Sequence, residues 1–358
     1  MIKIIMTKRP PSFFLFTALF MIKLLGMLFA TRIFASYTPL IDSTLYLSNF
    51  YSSDPILRTL LVQVLANFLS GVAGPFFAHF IFGLFSVIGF FYYYARGGRS
   101  WLILLFLLLP SSLVWTSIVG KEALFFGGMG LCLFIWSKFL VERLDWLDWA
   151  GLIFGISLCL FMRPHYGIAL LWLFASTSLL KKYGGSTALL LLFGYIFLGV
   201  LINYFAWGEL LDRGFGAIDS AGRASRFDSF EIEPRSTQGF EKFKDLVPLG
   251  IIFGVVGPLP SELINRIEFS PFFLEGVLIL MFPFAGVLIM HKLNFCSNPH
   301  FFRIFWWCLL PGIFFLMVIH APFGILNPGS AIRWRTNFEQ FLYLAPTLLL
   351  YRCMNEKK

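Results

Sequence analysis

Seven ionisable side chains lie at the ends of apolar segments, where they could do chemistry. Arg333 and Arg335 occur in the loop NPGSAIRWRTN, between the apolar segments 301–320 and 338–351. Guanidinium groups at the mouth of a membrane helix are costly unless an anion lies opposite them, and their planar forks match phosphate oxygens. The pattern predicts a site for an anionic, phosphate-bearing ligand. The seven residues are Asp42, Lys121, Glu122, Arg163, His165, Arg333 and Arg335.

The residue types suggest separate roles. Asp42 is a lone carboxylate that could deprotonate a hydroxyl as a general base, and Glu122 is the second candidate for acid–base work. Lys121, Arg163 and His165, with the two arginines above, are candidates to bind the anion. Structural alternatives stand beside these roles. Lys121 and Glu122 could be an exposed adjacent pair, Arg163 an interfacial side chain, Asp42 a turn residue and His165 a packing residue.

Apolar helices must position these residues. The chain has 358 residues, of which 58% are hydrophobic and 13% charged, and a mean hydropathy of +0.79. Soluble domains carry about 25% charged residues. Apolar runs of roughly 20 residues, long enough to cross a bilayer, recur from end to end. The composition predicts an all-α, polytopic helical membrane protein that forms a single transmembrane domain over 1–358, with about ten spans. The expected spans are 12–34, 72–95, 101–119, 122–138, 149–162, 167–181, 186–206, 274–290, 304–320 and 338–351.

Two longer connections interrupt this series. The first, 35–71, contains an amphipathic segment at 56–70, which we expect to be a helix at the membrane interface. The second, 207–273, begins with the hydrophilic segment 207–246 and continues with an apolar stretch that ends in GPLPSE. That stretch is too short to span comfortably, and it is typical of a broken or re-entrant helix lining a protein cavity.

The distribution of Lys and Arg predicts the orientation. Most basic residues fall in alternate short loops and in both terminal tails, which places both termini in the cytoplasm and the seven candidate residues on the outer face. The first apolar segment is long and contains Lys23, so we interpret it as an uncleaved span rather than a signal peptide. The formal net charge of +9 reflects the same bias and does not indicate nucleic-acid binding.

Metal and cofactor motifs are missing from the sequence. The five cysteines form no CxxC pair, and most fall in expected spans, so we infer neither a metal site nor a disulfide framework. No spacing of His with carboxylates suggests zinc, and no glycine-rich loop of the Walker type is present. We expect a protein without a metal or another cofactor.

Four segments carry a resemblance to a known group of proteins. PSSLVWTSIVGKEAL, FMRPHYGIALL, GPLPSE followed by FLEGVLIL, and NPGSAIRWR resemble polytopic proteins encoded with bacterial surface-polysaccharide genes. They are similar to Wzy-type oligosaccharide repeat-unit polymerases and, more broadly, to GT-C membrane glycosyltransferases. The likeness covers 110–340 in patches. It implies a GT-C-like fold in which Asp42 is the loop acid and in which Arg163, Arg333 and Arg335 hold undecaprenyl diphosphate. The chain departs from the pattern, because the acid lacks a DD or ExD pair and no RX10G pattern is evident in the outer loop.

The resemblance implies a function. We expect a glycosyltransferase of the hexosyltransferase type, or a polymerase, acting on polyprenyl-diphosphate-linked sugars in the synthesis of O-antigen, capsule or exopolysaccharide. Its location would be the bacterial inner membrane, and its partners would be the lipid-linked glycan, membrane lipids and other polysaccharide assembly proteins. The alternatives are a carrier or flippase for an anionic lipid or sugar, and a noncatalytic partner in an assembly complex. A carrier should show two related halves and ionisable groups at mid-membrane. The sequence shows no repeat, and Lys23 is the exception to the grouping at one face.

Overall fold

The computed structural model of the protein is built from helices, and no strand occurs in the part of the chain that it describes. The expected all-α class is therefore confirmed. Contacts divide the chain into two compact units, Met1–Gly167 and Ile168–Lys358. The described residues are 12–37, 40–48, 57–98, 100–184, 249–258, 260–264, 267–292, 299–326 and 328–355.

Four helices in these ranges are long and apolar enough to cross a membrane. A fifth candidate is the helix pair Pro75–Ser86 and Ile88–Ala95, which is bent by 49° at the break between its members. The helices agree with the expected class of helical membrane protein, whereas the number of about ten spans stays a prediction. The four helices are Phe13–Tyr37, Lys121–Val141, Ile267–Gly286 and His300–Ala321.

Proline begins several helices of the first unit, because the first turn of a helix needs no N–H donor from its leading residue. Pro75, Pro110 and Pro164 each open a helix in this way. The elements are α1 (Ser12–Leu28, continued by the π-helical turn Phe29–Phe34 and by Ala35–Tyr37), α2 (Ile41–Leu47), α3 (Leu57–Ala73), α4 (Pro75–Ser86), α5 (Ile88–Ala95), the 3-10 helix Trp101–Leu108, α6 (Pro110–Trp115), α7 (Lys121–Val141), α8 (Trp146–Met162) and α9 (Pro164–Tyr183), which begins in this unit.

The segment 101–119 differs from the single span that we expected. It consists of the 3-10 helix, the short α6, and a non-helical stretch at 116–120. Leu109, at the junction, has an extended ψ of 136° because a residue followed by proline is driven out of helical geometry. The amphipathic segment is helical, as α3, and its place at the membrane interface stays a prediction.

Helix α7 forms the core of the first unit, and glycines let other helices approach it closely. A Cβ added to Gly127 would lie 2.4 Å from the Phe85 carbonyl oxygen, and one added to Gly89 would lie 2.3 Å from the Leu131 backbone nitrogen. Helices in membranes associate through such contacts of small residues, because lipid offers no hydrophobic drive to hold them together. Only glycine fits at these two positions.

We expect Gly127→Ala to destabilise the protein by about 1–3 kcal/mol, because the new methyl group meets backbone atoms that cannot move away without shifting α4. The matched control is Gly71→Ala in α3, where an added Cβ meets nothing within 4 Å. That change should stabilise by about 0.5–1 kcal/mol through helix propensity. Unfolding in mixed detergent micelles measures both changes. Equal effects of the two substitutions would contradict the packing described here.

The second unit has a helix break where the sequence predicted one. The helix over 249–256 ends at Gly257, whose φ of +85° belongs to the left-handed region that favours glycine. Close packing recurs here, since a Cβ on Gly324 would lie 2.3 Å from the Gly254 nitrogen. The elements are α10 (249–256), α11 (Pro260–Leu263), the 3-10 helix Ile267–Phe269, α12 (Ser270–Lys292), α13 (Pro299–Ile304, the π-helical turn Phe305–Leu309 and Leu310–Leu326), α14 (Pro328–Arg335) and α15 (Glu339–Asn355).

The stretch NPGSAIRWRTN is not the loop that we expected. Its centre is the helix α14, which Pro328 opens and which ends at Arg335. A proline is favoured at the first position of a helix, so the Pro-Gly pair starts a helix here instead of forming a turn. The expected span 186–206 and the hydrophilic segment 207–246 lie outside the described residues.

The cysteines also depart from expectation. Cys132, Cys159 and Cys308 are free and buried, whereas Cys353 is disulfide-bonded. No sequence motif indicated this bond.

Candidate functional site

Lys121 is the first residue of α7, and its surroundings define the candidate site. Its Nζ donates a hydrogen bond of 2.6 Å to Thr59 Oγ1 and lies 6.0 Å from the centroid of the Tyr46 ring. Among the described residues, no carboxylate is within ion-pair distance of this half-buried ammonium. The charges near enough to act on it belong to Asp42, Arg58, Glu122 and Arg163. These seven residues are called the Lys121 cluster.

Glu122 and Arg163 form a buried ion pair within the cluster. Arg163 Nη2 donates to Glu122 Oε1 at 2.7 Å. Glu122 is 5% exposed and Arg163 is 8% exposed. Each has a local reason for its place. Glu122 lies in the first turn of α7, where the helix dipole favours a carboxylate. Arg163 ends α8 directly before Pro164, which opens α9, so the helix break presents its side chain.

The cluster carries a net positive charge. Asp42, Arg58 and Lys121 are half-buried and can meet a ligand, whereas the Glu122–Arg163 pair is buried. The three basic groups, Arg58, Lys121 and Arg163, and the two carboxylates, Asp42 and Glu122, give the cluster a formal net charge of +1. Such an excess in a partly buried site favours an anionic ligand.

Four of the seven predicted residues therefore come together in the first unit, which the sequence could only suggest from their common position at segment ends. Asp42, Lys121, Glu122 and Arg163 belong to the cluster. His165 lies two residues after Arg163, and its ring packs on that of Tyr166 with 4.3 Å between centroids.

Arg335 belongs to the second unit and is completely buried. Its Nη2 donates to Glu275 Oε2 at 2.9 Å and to the Phe272 carbonyl at 3.0 Å. Its Nη1 donates to the Val255 carbonyl at 2.6 Å and to the Val256 carbonyl at 3.4 Å. Val255 and Val256 end α10 at the break, where the carbonyls have no partner within the helix. The guanidinium thus caps one helix and pairs with a carboxylate on another.

Arg333 has a different environment, although it lies only two residues earlier on α14. It is half-buried, and its guanidinium carbon is 6.0 Å from the centroid of the Trp334 ring. The Trp334 ring lies 4.2 Å from that of Phe323. Of the two arginines, Arg333 is partly exposed, whereas Arg335 is buried and bonds to other groups of the protein.

Sequence reasoning missed a charged network at the other end of α7. Arg96 Nη1 donates to Asp145 Oδ2 at 2.7 Å, and Lys138 Nζ donates to Asp148 Oδ2 at 2.6 Å. Arg96 and Lys138 had been interpreted only as topology signals. The hydrogen bond from the Asp148 backbone N–H, with Arg96 alongside, lowers the pKa of Asp145 to about 2. The signal in the sequence was DWLD, whose two aspartates form a capping box at the start of α8.

The Lys121 cluster and the network around Lys138 lie at opposite ends of one long apolar helix. Lys121 and Lys138 lie at opposite ends of α7, about 25 Å apart at about 1.5 Å per residue. The hydrocarbon core of a bilayer is about 30 Å thick. The whole of α7, Lys121–Val141, is one of the helices long and apolar enough to cross a membrane.

The described ranges contain no group of three or more His, Cys, Asp or Glu that could hold a metal ion. Comparisons of the chain with protein-family models, with curated proteins and with solved structures find no match.

Proposed function

We propose that the protein is a membrane glycosyltransferase that transfers or polymerises sugars carried on polyprenyl diphosphate. The observation that supports this best is the environment of Lys121. Its ammonium is half-buried, bonds to the neutral hydroxyl of Thr59, and lies in the field of the cations Arg163 and Arg58 and of the carboxylates Glu122 and Asp42. Such a group is strongly stabilised by an anionic ligand, and the diphosphate of a lipid-linked sugar supplies one at the membrane surface.

In this proposal the cations of the cluster bind the leaving group, and a carboxylate acts as the general base. Lys121 and Arg58 bind the diphosphate oxygens and stabilise the negative charge that develops as the bond from sugar to phosphate breaks. Asp42 accepts the proton of the attacking hydroxyl on the acceptor glycan. Glu122 orients Arg163, whose charge adds to the field at the diphosphate. His165, Arg333 and Arg335 were predicted as further substrate contacts. His165 stays a candidate in the first unit, and the substrate roles of Arg333 and Arg335 stay predictions.

The proposal includes a GT-C-like architecture in the bacterial inner membrane. Support comes from the order of elements, since the short acidic helix α2 follows the first candidate span and α3 follows α2. We propose that the cluster lies at the outer face, with both termini in the cytoplasm, in line with the Lys and Arg distribution.

Reconstitution of the full chain in liposomes with a polyprenyl-diphosphate-linked oligosaccharide tests the function. The expected result is a new glycosidic product, seen as a ladder or a single added unit on a gel. Movement of the glycan across the bilayer without a new bond would assign the carrier alternative. If neither product nor movement occurs, while the purified partners of an assembly complex bind the protein, the noncatalytic alternative replaces the proposal.

A further inference from the structure

The backbone of Val119, two residues before Lys121, is held by side chains from two other helices. Its N–H donates to His79 Nδ1 on α4 at 3.0 Å, and its carbonyl accepts from Ser43 Oγ on α2 at 2.7 Å. Val119, Ser43 and His79 are all buried. The backbone N–H and C=O of Val119 are thus both bonded to side chains from outside the segment 116–120.

This arrangement follows from the irregular backbone at 116–120. The segment lies between α6 and α7 and forms no regular helix, so its buried peptide groups need partners from elsewhere. A third side chain joins the segment, since Lys23 Nζ of α1 donates to Thr116 Oγ1 at 2.5 Å. The lysine in the middle of the first span, an anomaly in the sequence, therefore contacts the turn that leads into the candidate site.

Ser43 directly follows Asp42 on α2, and Val119 precedes Lys121 at the start of α7. The Ser43–Val119 bond consequently ties the proposed base to the proposed anion-binding lysine. His79 accepts from the N–H of the same residue, so the peptide units on both sides of the Val119 Cα are held, and this limits how far 116–120 can rotate. A ring nitrogen that accepts a hydrogen bond carries no proton, so the bond requires the tautomer of His79 with its proton on Nε2.

We propose that Ser43 and His79 are positioning residues that set the geometry between Asp42 and Lys121 by holding the Val119 peptide. Neither side chain needs to touch substrate for this role. The effect on catalysis rests on the proposed function, whereas the hydrogen bonds to Val119 do not. An error of about 1 Å in the placement of reacting groups costs about 100-fold in rate.

The first arm of the test measures rate in the reconstituted full chain. Ser43→Ala should lower kcat about 10- to 100-fold with little change in KM, and Ser43→Thr, which keeps the donor, should restore most of it. His79→Leu should act like Ser43→Ala, and His79→Asn, whose side-chain oxygen can replace Nδ1 as acceptor, should act like Ser43→Thr. The matched control is Ser48→Ala, because Ser48 follows the last residue of the same helix and its hydroxyl donates to the nearby Leu45 carbonyl at 2.9 Å, not to another helix of the described chain. Equal rates for Ser43→Ala and Ser48→Ala would overturn the proposal.

The second arm does not depend on activity. In protein labelled with nitrogen-15 at histidine, the ring signals that disappear in His79→Asn are those of His79, and they should show an unprotonated Nδ1 and a protonated Nε2. Ser43→Ala should shift them, because the Val119 peptide is no longer held from its carbonyl side. If the His79 signal does not shift in Ser43→Ala, Ser43 and His79 are not coupled through Val119, and the proposal is wrong even if the wild-type protein transfers sugar. A wild type without transferase activity but with the expected shifts would remove the proposed function and keep the structural coupling.

Discussion

Arg335→Met is expected to destabilise the protein by about 3–5 kcal/mol, the cost of leaving a buried charge without its partner. The substitution removes the guanidinium from Glu275, which is itself fully buried, and from the carbonyls of Phe272 and Val255. Lys at this position should recover little, because one ammonium cannot reach the carboxylate and the end of α10 together. Unfolding in mixed detergent micelles, followed by tryptophan fluorescence, gives the measurement.

The matched control for this prediction is Arg333→Met on the same helix. That arginine is half-buried, so its removal should cost less than about 1 kcal/mol. The double variant Arg335→Met with Glu275→Leu should be more stable than Arg335→Met alone, because no lone charge then remains inside. Equal stability of the two single variants would show that Arg335 does not hold the helix break, and it would return that residue to the substrate contacts.

Lys121→Met is expected to lower sugar transfer by at least about 100-fold while the protein stays folded and in the membrane. The side chain bonds only to Thr59 among the described residues, so its removal breaks no ion pair. Asp42→Asn should lower the rate by about 100- to 10,000-fold, since the amide keeps the shape of the side chain but cannot accept the proton. Product formation in liposomes and a thermal unfolding curve measure the two effects separately.

Two exposed residues provide controls for these variants. Lys182→Met removes a lysine at the far end of α9, and Glu142→Gln removes a carboxylate just after α7. Both should transfer sugar at the wild-type rate. A Lys121→Met protein that is as active as Lys182→Met would end the assignment of the anion site. Loss of transfer accompanied by loss of folding would assign Lys121 a structural role instead.

Much of the helical architecture could be predicted from the sequence, because the signals are local. Runs of apolar residues indicate helices that can cross a membrane, and Pro75, Pro110 and Pro164 mark where helices begin. The break before GPLPSE was predictable as well, since glycine and proline interrupt a helix through their own backbone properties. The prediction of one continuous helix over 101–119 was wrong. It rested on the high hydropathy of the segment and neglected Pro110, which ends one helix and begins another.

The candidate site was predictable only in part. A charged residue in an apolar chain needs a partner, and that requirement drew attention to Asp42, Lys121, Glu122 and Arg163, which the structure brings near one another. The partners themselves lie far away in the sequence. Glu122 pairs with Arg163, which lies between α8 and α9, and Thr59 of α3 accepts a hydrogen bond from Lys121. No local pattern specifies such contacts.

The sequence by itself determined the helical class of the protein, since long apolar runs satisfy their own backbone hydrogen bonds when they form helices. It also determined which ionisable residues had to be explained. The tertiary structure alone decided what each of them contacts. Arg333 and Arg335 are equivalent in the sequence, yet one is half-buried and the other is enclosed by Glu275 and the end of α10. The physical reason is that the energy of a buried charge depends on the groups around it, and folding brings those groups from distant segments.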